Sequence, residues 1–97
     1  MEIRISENVK KEKVINVDFP VFREHYLGDS TIYTKVVSMS KEINIHIYQD
    51  GTQRIQCEIE QPSTYSSEDY FTGKGEFKSS ETNFEKALTK FTNQLKS

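Results

Sequence analysis

Two isoleucine runs separated by an Asp-Gly pair constrain this chain more than any other feature. Ile43, Ile45 and Ile47 alternate with Asn44, His46 and Tyr48; after Asp50-Gly51, the residues Ile55, Cys57 and Ile59 alternate with Arg54, Gln56 and Glu58. Successive side chains on an extended strand point to opposite faces, so this period of two gives each run one apolar and one polar side. An Asp-Gly pair favours a two-residue hairpin loop, but that loop sets Ile47 opposite Arg54, Ile45 opposite Gln56 and Ile43 opposite Glu58. A three-residue loop, Gln49-Asp50-Gly51 with Gly51 left-handed in a bulge, pairs Tyr48 with Thr52, Ile45 with Ile55 and Ile43 with Cys57. Both apolar sets then share a face, and this is the register the pattern predicts.

An apolar sheet face needs a cover, and the C-terminal segment supplies one. Phe84, Ala87, Leu88, Phe91 and Leu95 recur at spacings of three and four, the stripe of an amphipathic helix over 80–96. Ser79 or Ser80 is placed to cap it, Glu81 and Glu85 lie near its positive end, and Lys90 and Lys96 lie towards its negative end. At about 1.5 to 3 kcal/mol per large buried side chain, the four large members contribute about 6 to 12 kcal/mol, comparable with the net stability of a whole domain. The expected fold is α+β: an antiparallel sheet of four to five strands with the C-terminal helix packed across one face.

The remaining segments fit around that unit. Glu2–Ser6 and Val14–Phe19 alternate in the same way and form a first hairpin across the charged connection 7–13, with Pro20 ending the second strand. Val21–Ser30 reads as a loop or short helical turn, whose Phe22, Tyr26 and Leu27 cap the core or form a contact lip. Thr31–Met39 is rich in β-branched and aromatic residues and predicts a strand with Ile32 and Val36 on one side and Tyr33, Val37 and Met39 on the other. A strand apolar on both sides implies that the second face of the sheet is partly covered. Residues 61–69 form a polar loop, and 70–77 a candidate edge strand weakened by Gly73 and Gly75.

With 97 residues, the chain predicts a single domain over 1–97, strand-rich through residue 60. An apolar fraction of 34% is lean, yet 11% aromatic residues argue against a disordered chain. Thirteen basic and 15 acidic residues interleave to a net charge of -2, so nucleic acid is permitted as a partner but not indicated. The opening MEIRIS lacks the apolar core of a secretion signal, and no window reaches a membrane-spanning length. A single cysteine leaves no internal disulfide, and the expectation is a cytoplasmic protein without membrane contact.

Catalytic chemistry finds little support. Cys57 is expected to face the helix, where a thiol packs as a small hydrophobe, while His46 points from the opposite side of the neighbouring strand. His25 and His46 show no HxH or HExxH spacing, so no metal is expected, and Glu58/Glu60 read as solvated charge. Gly73-Lys74-Gly75 lacks the helix that must directly follow a phosphate loop, and no cofactor is expected.

What remains is the outward face of the central hairpin, where Asn44, His46, Tyr48, Arg54 and Gln56 combine two aromatic rings, a permanent cation and two amides. A hydrated sheet face is the plain alternative. Tyr and Arg are also favoured in protein interfaces, so the expected function is a small non-enzymatic binding or regulatory module that engages a protein partner or itself through this face or through the loop region of Tyr65 and Tyr70. The runner-up is single-stranded nucleic-acid binding. Several strands followed by a C-terminal helix resemble, in topology alone, the PUR-like domains, and that resemblance implies a strand laid across the sheet.

Overall fold

A computed structural model describes residues 1–8, 11–49, 54–62, 71–72 and 78–96. Six strands precede one long helix: β1 (Glu2–Asn8), β2 (Lys11–Asn16), β3 (Val21–Leu27), β4 (Ser30–Ser38), β5 (Lys41–Tyr48), β6 (Arg54–Glu60) and α1 (Glu81–Lys96). The first two strands form their own antiparallel sheet, and the other four form a second in the order β3-β4-β5-β6. With α1 packed on the larger sheet, the architecture is α+β as the periodicities predict.

The central hairpin keeps the predicted face but not the predicted pairs. Ile43 stands opposite Ile59, Ile45 opposite Cys57 and Ile47 opposite Ile55, two residues away from the expected register. A slip of two leaves every side chain on its own face, so hydrophobic patterning cannot distinguish the two arrangements. On its other side β5 pairs with β4, where the Gln49 N–H donates to the Asp29 carbonyl at 2.6 Å and extends that ladder one residue beyond Tyr48. Residues 50–53, including the predicted bulge at Gly51, lie outside the described residues.

Val21–Leu27 is a strand, not the loop or helical turn expected from its composition. Phe22 packs into the core under α1, whereas Tyr26 and Leu27 stay exposed. Leu27 and Ser30 pair across Gly28-Asp29, and Gly28 is the one described residue with positive φ, at 56°. That is the sign pattern of a type II′ hairpin turn, for which glycine at the first central position is suited.

Two clusters sandwich the larger sheet. On one face Ile45, Phe84 and Ala87 are buried, with Phe22, Ile43, Ile47, Ile55, Cys57, Leu88 and Phe91 packed around them. Ile59 and Leu95 lie beyond this cover and remain 67% and 68% exposed, so of the four large stripe residues Phe84 is buried, Leu88 and Phe91 are partly buried and Leu95 is not covered. On the other face Val21 and Val36 join Ile3, Ile15 and Val17 of the first hairpin, together with Phe71. The expectation that the second face is partly covered is met by this cluster.

Met39 packs with the Val36 cluster and not on the opposite side from it. A register shift between Val36 and Ser38 inserts an extra residue, which resets the alternation. The first hairpin is longer than expected at its turn, because β1 and β2 run into the charged stretch, and β2 ends at Asn16 well before Pro20. Of the candidate edge strand 70–77, only Phe71 and Thr72 are described, and they are helical. Just beyond it, Lys78 makes a single antiparallel bridge to Arg23.

Candidate functional site

The four-strand register converts the outward face into a grid. One rung runs Leu27, Ser30, Tyr48, Arg54; the next His25, Ile32, His46, Gln56; the next Arg23, Thr34, Asn44, Glu58; the last Val21, Val36, Glu42, Glu60. All five residues singled out from sequence lie on this face, but at different depths. Asn44 is buried: its side-chain oxygen accepts from the Thr34 hydroxyl, and its Nδ2 donates to Glu42 Oε1 at 3.3 Å. It works as a strut between strands, in the rung next to the hydrophobic cluster.

The other four occupy the open end. Arg54 places its guanidinium carbon 4.3 Å from the centre of the Tyr48 ring, a cation–π contact between residues paired across β5 and β6. His46 and Tyr48, two apart on β5, hold their rings 15° from parallel with centres 6.3 Å apart. Tyr48 Oη lies 3.5 Å from Gln56 Oε1, and His46 Nε2 lies 3.4 Å from Glu58 Oε2. Each group is held by a neighbour on the same face, so the row is preorganised.

Sequence reasoning missed what surrounds this row. A shallow depression of about 340 Å³ is lined by Arg23, His25, Ile32, Thr34, Asn44, His46, Glu58 and Glu60. Arg23 is only 8% exposed, a charged side chain sunk into the sheet beside two histidines and two carboxylates. Reading Val21–Leu27 as a strand would have found it, because Arg23 and His25 share one parity. Although both histidines line the depression, no group of three or more potential ligands among the described residues is placed to hold a metal ion.

The opposite face carries different chemistry. Cys57 packs under α1, away from His46, and burial followed by the Glu58 carboxylate pushes its thiol above the ordinary range. A neutral, half-buried thiol with no histidine on its side is a packing group. A second groove, about 710 Å³, runs along α1 between Tyr33, Ile47 and the helix residues from Glu81 to Lys90. The Tyr33 hydroxyl is likewise pushed up, by burial first and the Glu24 carboxylate second.

Glu24 is a structural anchor that the sequence did not reveal. Its carboxylate accepts from Ser79 Oγ at 3.1 Å and Asn83 Nδ2 at 3.2 Å, and also from the Tyr26 hydroxyl. These bonds tie β3 to the start of α1 and fix the helix over the isoleucines. The predicted contact region around Tyr65 and Tyr70, and Gly73-Lys74-Gly75, lie outside the described residues. Among the described residues, no helix is long and apolar enough to cross a membrane. No protein-family model, curated protein sequence or solved structure matches this chain.

Proposed function

We propose that this protein is a non-enzymatic binding module that engages a protein partner through the outward face of its larger sheet. The observation that carries the reading is the preorganised row of His46, Tyr48, Arg54 and Gln56, centred on the Arg54–Tyr48 stack at 4.3 Å. Tyrosine and arginine dominate interface hot spots because each offers a large contact area and directed polar groups. Holding them in place before contact lowers the ordering cost of association. The neighbouring depression, with Arg23 at its floor and Glu58 and Glu60 at its rim, supplies both charge signs for a mixed polar surface.

A photo-crosslinker at Gln56 and affinity capture test the reading together. One partner is expected to cross-link at Gln56 and to be lost on Tyr48→Ala or Arg54→Ala, at a cost of about 2 kcal/mol or more for a hot-spot residue. Circular dichroism should remain unchanged in both variants. Capture that persists at full strength in both variants would falsify the assignment of this face.

The near-parallel His46 and Tyr48 rings favour a second reading, single-stranded nucleic-acid binding with bases stacked on the aromatics. Glu58 and Glu60 on the same face oppose it, since they repel the phosphate backbone. Fluorescence anisotropy with short oligonucleotides separates the two: salt-sensitive binding supports this second reading, and none is expected.

A further inference from the structure

β6 is the last strand in the order β3-β4-β5-β6, and the pairing of its neighbours fixes which of its backbone groups face outward. The Ile55 N–H donates to Gln94 Oε1 at 3.2 Å, and Gln94 Nε2 donates to the Ile55 carbonyl at 3.0 Å. Both backbone groups of Ile55 are thus taken by α1, so Ile55 stands opposite Ile47 as a non-hydrogen-bonded pair. By alternation, the N–H and C=O of Cys57 and Ile59 also point away from β5. A primary amide that donates and accepts at one residue does what one rung of a neighbouring strand would do. Gln94 occupies the edge as a stand-in for a strand.

The rest of the edge is uncapped among the described residues: its charges, Arg54, Glu58 and Glu60, stand on the outward face, while its helix-side face of Ile55, Cys57 and Ile59 is apolar. Ile59 continues the helix-side face of β6 beyond the reach of α1 and is 67% exposed; Leu95, next to Gln94, is 68% exposed. The other outer strand is treated differently: β3 is bridged at Arg23 by Lys78, and the Ser79 N–H donates to the Phe22 carbonyl at 3.0 Å.

We propose that the free edge of β6 binds a second copy of this chain, added antiparallel about a two-fold axis through Cys57. The sequence of β6, RIQCEIE, is self-complementary in that one arrangement. Arg54 falls opposite Glu60 of the second copy on the outward face, and Ile55 falls opposite Ile59 on the helix side. Ile59 also approaches the helix end that carries Leu95, so the two exposed side chains cover each other. Moving the axis on to Glu58 sets two glutamates face to face, and moving it back to Gln56 places Ile59 opposite residue 53, before the strand begins. An isologous pairing of this kind closes as a dimer with one continuous sheet across both copies. Ile55 must exchange Gln94 for Ile59 of the second copy, which makes Gln94 a competitor for the edge.

Sedimentation equilibrium from about 1 µM to about 1 mM reads the association over the range where a small interface saturates. The expected result is a reversible monomer–dimer equilibrium, tightened about threefold or more by Gln94→Ala, which frees Ile55. Arg54→Glu and Glu60→Arg should each weaken it about tenfold by placing like charges opposite one another twice per dimer. The double variant R54E/E60R should return it to within about threefold of the parent, because the swap restores both pairs. The two residues sit at opposite ends of β6 within one copy, so rescue reports a contact between copies. A chain that stays monomeric throughout, with and without Gln94, overturns the proposal, as does a dimer that the double swap fails to restore. Association of copies and capture of a different protein are separate readouts, so failure of the edge leaves the outward face standing.

Discussion

Cys57 illustrates how far a single residue's chemistry is set by the face it occupies. Its strand neighbours Gln56 and Glu58 look outward, while its own thiol packs under α1, where burial and then Glu58 raise its ionisation above the ordinary value of 9.0. A raised acid favours the neutral form in the folded state. The associated stability is therefore full below the ordinary thiol value and is lost as pH rises from there through the raised value of the folded state. Between about pH 8 and about pH 10.5 the parent should lose melting temperature more steeply than Cys57→Ala, and a maleimide should label the folded parent more slowly than the unfolded chain. Equal slopes and equal labelling would show the thiol to be solvated. The side of Cys57 was legible in the sequence because alternation fixes a face. The depth of Asn44 was not: that depends on Thr34 and Glu42, which reach it from β4 and along β5.

At the scale of the element, α1 is held at its start by a small set of polar bonds. Ser80 Oγ accepts from the Asn83 N–H at 3.2 Å and the Ser80 carbonyl from the Phe84 N–H at 3.1 Å, so Ser80 is the cap, while Ser79 is diverted to Glu24. Ser80→Ala should cost about 1 kcal/mol, a fall of about 4 to 8 °C in melting temperature for a domain of this size. Ser79→Ala should act instead through the β3 anchor, and Glu24→Ala should be non-additive with it, since both remove the same bond. A double-mutant cycle by thermal denaturation that gives simple additivity would contradict the anchor. The helix was legible because its stripe repeats through several turns. β3 was hidden for an opposite reason: Arg23 and His25 face one way and Glu24 and Tyr26 the other, so polar residues fall on both faces and erase the period of two. Its strand character comes from pairing with β4 and from bonds at residues 78–83, none of which is local in sequence.

The whole molecule is built as two cores on opposite sides of one sheet. Ile45 with Phe84 and Ala87 makes the helix-side core, and Val36 with Ile3, Ile15, Val17, Val21 and Phe71 makes the hairpin-side core. β1 and β2 share no ladder with the larger sheet, so side-chain packing in the second cluster is what fastens them to it. Phe71 is fully buried there and arrives from a segment far along the chain, which makes it a clamp between the two sheets. Phe71→Ala removes the largest fully buried side chain of that cluster, a change worth about 3 to 5 kcal/mol. That approaches the whole stability of a small domain. Phe71 belongs to the hairpin-side cluster and not to the helix-side one, so the damage should be uneven. Amide exchange in β1 and β2 should accelerate by a larger factor than in β4 and β5, because the hairpin can open while Ile45 and Phe84 stay covered. Phe84→Ala should accelerate the amides of α1 as well as those of β4 and β5. If Phe71→Ala instead accelerates every amide by the same factor, the two cores open as one unit and the division drawn from burial does not describe how the fold comes apart.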